Sequence, residues 1–64
     1  MKLVSIKQME DVFDGCAYLV YCGTLYETLG VKKGERFGFS CISDGSVIWL
    51  LWETLMSKEC EVEY

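Results

Sequence analysis

The chain has 64 residues, 52% of them hydrophobic and 14% aromatic, which is too short for two domains and too apolar for a disordered chain. Ten acids against six bases give a net charge of −4, the opposite of the excess that phosphate contacts demand of a nucleic-acid binder. The imbalance is local, because residues 53–64 hold four acids and one Lys, a net of −3.

A single small domain over residues 1–64 is expected. Its apolar content exceeds what so short a monomer hides easily, so a homodimer or a partner is expected too. Residues 2–8 (KLVSIKQ) alternate loosely and read as a first strand, with Leu3 opposed to Val4 and Ile6. Asp14-Gly15 marks a turn. Residues 16–22 (CAYLVYC) are dense in strand formers and apolar on both faces, as a central or dimer-buried strand would be.

Residues 24–30 (TLYETLG) carry a capping-box spacing, Thr24 with Glu27 three residues on. Leu25 and Leu29 sit four apart, and Gly30 suits a left-handed helix stop. The expectation is a helix of about two turns, followed by a turn over Val31-Lys32-Lys33-Gly34. Residues 35–43 (ERFGFSCIS) place Phe37, Phe39 and Cys41 on one face of a strand. Asp44-Gly45 is a hairpin signal, which favours a returning strand over residues 46–52. Trp49, Trp52 and Met56 also fit helical spacing, so residues 47–57 remain open between strand and helix. In residues 58–64 (KECEVEY), Cys60, Val62 and Tyr64 alternate with Glu59, Glu61 and Glu63, an amphipathic strand with one acidic face. Such acids also keep a sheet edge from pairing with its like.

The four cysteines are widely spaced with no Cys-x-x-Cys pair, so free, mostly buried thiols are expected in place of a zinc site or disulfides. No apolar leader opens the sequence, and the apolar run at 47–52 is too short to span a bilayer. A cytoplasmic location without membrane association is the expectation.

Catalysis is poorly supplied. There is no His to act as an acid–base group or to activate a thiol. The glycines form neither a phosphate loop nor a dinucleotide fingerprint, and no cofactor or metal is implied. The residue types that anchor interfaces are present, in Trp49, Trp52 and Tyr64. Beside them the row Glu59, Glu61 and Glu63 repeats at about 7 Å on an extended strand, a spacing that a basic groove made for phosphates can accept.

The stretches GTLYETLGVKKGERFGF and SDGSVIWL resemble the swapped-hairpin domain of the AbrB and MazE family over residues 17–51. The resemblance implies a mainly β (α+β) domain of β-α-β-β order with a further strand at its end, intertwined as a homodimer. It also implies DNA binding through the first half and, in some members, capture of a toxin through the second. Two departures weigh on that. Cys22 stands where the family has a proline, and Tyr18, Tyr26 and Glu27 stand at its DNA-contacting arginines. Only Lys32, Lys33 and Arg36 form a basic cluster. Size and charge are also similar to small acidic antitoxins and phage-encoded inhibitors of nucleic-acid-handling enzymes.

The expected function is therefore a non-enzymatic regulator or inhibitor that binds another protein, one with a basic surface. Glu59, Glu61, Glu63, Trp49, Trp52 and Tyr64 are its candidate contacts. The alternative is a homodimeric DNA-binding regulator using Lys32, Lys33 and Arg36.

Overall fold

Ser5 opens a helix, α1 (Ile6–Phe13), in the computed structural model, which describes residues 4–64. The Ser5 hydroxyl accepts from the Gln8 N–H at 3.1 Å while the Gln8 amide oxygen accepts from the Ser5 N–H at 2.9 Å. The capping box of this chain is thus Ser5-x-x-Gln8. Met9 and Val12 lie on one side of the helix and are fully buried. At the other end Cys16 N–H bonds Asp11 C=O and Gly15 N–H bonds Val12 C=O, with Gly15 at φ 81°. That is a Schellman stop, and it needs glycine at the left-handed position. The strand expected at residues 2–8 is corrected accordingly. Lys2 and Leu3 lie outside the described residues, and from Ile6 onward the chain is helical.

Five antiparallel strands follow: β1 (Tyr18–Tyr21), β2 (Thr24–Lys33), β3 (Arg36–Cys41), β4 (Val47–Leu51) and β5 (Cys60–Glu63). Their order in the sheet is β4-β3-β2-β1-β5. The first four strands form a meander of hairpins, and the last returns to pair with the first. A single helical turn, α2 (Trp52–Leu55), links β4 to β5 and buries Leu55. The domain is mostly β with two short helices.

Residues 24–30 are strand and not helix. The expected Thr24–Glu27 cap never forms, because Thr24, Tyr26 and Thr28 turn one way and Leu25, Glu27 and Leu29 the other. That alternation serves β2, whose two neighbours supply the backbone partners a helix would have supplied internally. The β1–β2 turn is Cys22-Gly23, with φ 52° and 75°. Two positive φ values in a two-residue loop make the type I′ geometry that matches strand twist. Gly30 does take positive φ, 73°, but inside β2, where its N–H bonds the Thr28 hydroxyl at 3.1 Å. There the register against β3 slips, so residues 29–31 face Gly38 alone. The expected four-residue turn at 31–34 shrinks to Gly34-Glu35.

The remaining expectations fare better. β3 buries Phe39 and Cys41 and half-buries Phe37 on one face. The Asp44-Gly45 loop returns the chain into β4, closed by the Asp44 carboxylate accepting from Ser46 N–H at 2.9 Å. Residues 47–57 resolve into both alternatives, strand to Leu51 and then helix. The core joins Met9 and Val12 of α1 to Leu19, Phe39, Leu50, Leu55 and Cys60, so the sheet wraps its inner face over the helix.

Candidate functional site

The register sorts the residues of β5 by face. Across β1 and β5, Val62 pairs with Leu19 and Cys60 with Tyr21, both on the core side. Glu61 then pairs with Val20 and Glu63 with Tyr18 on the outer face. Glu59 stands exposed in the turn that feeds the strand. Among the described residues the ion pair Lys7–Asp11 is the one salt bridge, so none of these three glutamates is neutralised by a neighbour within that set. β5 is also an edge. One of its sides pairs with β1, and no described strand pairs with the other.

Tyr64, just beyond β5, is 69% exposed, yet its hydroxyl donates to Asp11 at 2.5 Å. Lys7 donates to the other oxygen of the same carboxylate at 2.7 Å. These bonds hold Asp11 below the usual carboxylate range, the Lys7 contact first and the Tyr64 contact second. Tyr64 therefore clasps the end of β5 to α1. It is a structural contact as much as a candidate anchor.

The two tryptophans lie elsewhere. Trp49 is on β4, at the opposite end of the strand order, on the outer face beside Gly38. Trp52 begins α2, stacks on Phe13 at 6.5 Å and meets Phe37 in a tilted contact at 6.1 Å between ring centroids. The structure thus brings Glu59, Glu61, Glu63 and Tyr64 together on β5 and its flanks, and groups Trp49 and Trp52 around β4.

The basic cluster is divided as well. Lys32 pairs with Phe37 and sets its ammonium 5.1 Å from that ring centroid on the inner side. Lys33 pairs with Arg36 on the outer side and lies 4.8 Å from the Trp49 ring. A cleft of about 400 Å³ beside Lys32 is lined also by Glu35 and Glu53, so its net charge does not favour an anion.

The thiols are free, but the expectation of mostly buried ones holds only for Cys41 and Cys60, since Cys16 and Cys22 are exposed. Burial, with Glu59 next in effect, pushes the Cys60 thiol up to about 11 and keeps it protonated. No group of three or more His, Cys, Asp and Glu suited to a metal occurs among the described residues. Nor is any described helix long and apolar enough to cross a membrane.

Sequence reasoning missed two contributors to this edge. Tyr18 and Val20 flank Glu63 and Glu61 on the outer face, and only the pairing of the first strand with the last, which no local pattern announces, could have found them. No family model, no curated protein and no solved structure matches this chain.

Proposed function

We propose that this protein is a non-enzymatic regulator or inhibitor that binds another protein through the acidic edge formed by Glu59, Glu61 and Glu63. The observation that carries this reading is the unneutralised row on an open strand and the turn that feeds it, backed by a core-facing side. A carboxylate row desolvates at a cost that only an oppositely charged surface offsets, so the partner presents Lys or Arg. Trp49 and Trp52 lie too far along the strand order to share that contact, and they support a second surface around β4. A homodimer fits there, where Leu29 and Val47 are exposed on the same face as Trp49.

DNA binding is the weaker reading. Lys33 and Arg36 share a face with Glu27, and Lys32 turns to the other side. Like charge facing phosphate works against affinity.

The test is quantitative capture on the wild-type chain and on the variant E59Q/E61Q/E63Q, from cells that normally contain the protein. A protein partner retained by the wild type, released by salt and lost by the variant is the expected result. Equal retention by both chains removes the acidic edge as the recognition surface. Tight, salt-sensitive binding of the purified protein to duplex DNA would make it a DNA-binding regulator instead.

A further inference from the structure

We propose that β5 accepts an extended segment of the partner as a sixth strand, and that this segment alternates cationic and apolar residues. The inference rests on the reading of the acidic edge above and specifies how that edge is used.

The pattern follows from alternation. Successive residues of an added strand point to opposite sheet faces, as those of β5 do. On the outer face each would meet Glu61 or Glu63, at the roughly 5 Å separation of cross-strand neighbours, where Lys or Arg pairs favourably. On the inner face the segment would meet Val62, half-buried against the apolar core, since Cys60 is fully buried with its N–H bonded to the Ser57 carbonyl. Only a segment with both periodicities satisfies both faces. The backbone of β5 is already held straight by four pairings to β1 and by the Tyr64–Asp11 bond, so the acceptor needs little ordering.

A second copy of this chain fits poorly. Pairing β5 with its own symmetry mate sets glutamate near glutamate, which is repulsive. The other open edge of the sheet, β4, reads VIWLL and offers no cation to the acids. The occupant is therefore a different protein, and the glutamates select against self-pairing while admitting it.

The experiment uses the full chain with synthetic peptides. One short peptide alternates Lys and Val, and a second has the same composition in two blocks. Two further copies of the first are N-methylated at every second residue, one in each frame. The alternating peptide should bind about tenfold or more tighter than the block peptide. One methylated frame should lose binding and the other keep it, since only one set of amides faces β5. Amide exchange at Val62, whose N–H faces the open edge, should slow on binding. E61K/E63K should shift preference to a Glu/Val alternating peptide, which a merely structural role for the acids does not predict.

If block and alternating peptides bind alike with salt dependence, or neither methylated frame matters, strand addition is wrong while the charge-based reading stands. If no peptide binds, strand addition fails, and the capture result decides the charge reading separately. Slowed exchange in β5 that grows with protein concentration and needs no peptide makes the occupant a second copy and overturns the proposal.

Discussion

Cys22 adopts φ 52°, a conformation that asparagine or glycine takes far more readily, and it does so because the tight β1–β2 turn demands it. A Cys-Gly pair is a poor advertisement for a type I′ turn, which is why the local pattern suggests a strand running into a helix cap. The turn also leaves the Cys22 thiol in solvent, as Cys16 is left by the Schellman stop. A maleimide added to the native protein should therefore label Cys16 and Cys22 quickly, with Cys41 and Cys60 reacting only on unfolding. Mass mapping of the adducts checks it, and early labelling of Cys60 would contradict its burial.

The Lys7–Asp11–Tyr64 group has a pH signature. Asp11 is held low, so its contribution to stability is present above the ordinary carboxylate range and fades as pH falls through its lowered value. Tyr64 is pushed up, chiefly by its hydrogen bond to Asp11, so its contribution is full below the ordinary tyrosine range and fades as pH rises through its raised value. Tyr64→Phe should lower the thermal midpoint at neutral pH, with the gap to wild type narrowing in both acid and alkali. A gap of constant size across pH would show that the clasp contributes nothing.

Two capping-box spacings compete in this chain, and only one becomes a helix. After Ser5 the apolar residues Met9, Val12 and Phe13 recur at helical intervals and bury against the sheet. After Thr24 the same spacing sits on a segment that alternates face by face, and tertiary pairing overrides the local signal. The strands at β3 and β5 were legible because their alternation had no rival, whereas the continuous apolar run at β4 left strand and helix both open and the chain uses each in turn. The acidic row was legible for the same reason. The separation of the tryptophans from it was not, since strand order is a property of the whole sheet.

Two substitutions probe the elements. Phe39 has no exposed surface and joins β3 to α1 through Phe13, at 6.2 Å between centroids. Phe39→Ala should cost about 3–5 kcal/mol and leave so small a domain largely unfolded in a circular-dichroism melt. At Gly38 an added methyl would meet the Trp49 ring at 2.7 Å and Leu29 at 3.2 Å. Gly38→Ala should displace the indole, costing on the order of 1 kcal/mol and altering tryptophan emission. Unchanged emission and stability would mean that the ring does not rest on Gly38.

At the scale of the molecule, the row Glu59, Glu61 and Glu63 lies on β5 and the turn before it, while Leu29, Val31 and Val47 lie exposed around the β2–β4 side of the sheet. Sedimentation at micromolar concentration should show a dimer through that apolar side, and a monomer throughout the range would remove the homodimer from the proposal.

The return of the last strand to the first has a consequence for how the chain survives its own fluctuations. β1, β2, β3 and β4 are joined by short loops, so their pairings reform quickly after any local opening. β5 alone reaches its place by closing the whole chain on itself, so its pairing is the slowest to reform once lost. When it lifts, the sheet shows the bare edge of YLVY in β1, an apolar, uncharged stretch of the kind that nucleates intermolecular sheets. The strand that normally covers this edge carries the charge that keeps a neighbour's strand away. Its glutamates therefore guard this apolar segment twice, by covering it when closed and by repelling a stray copy of themselves while it stands open.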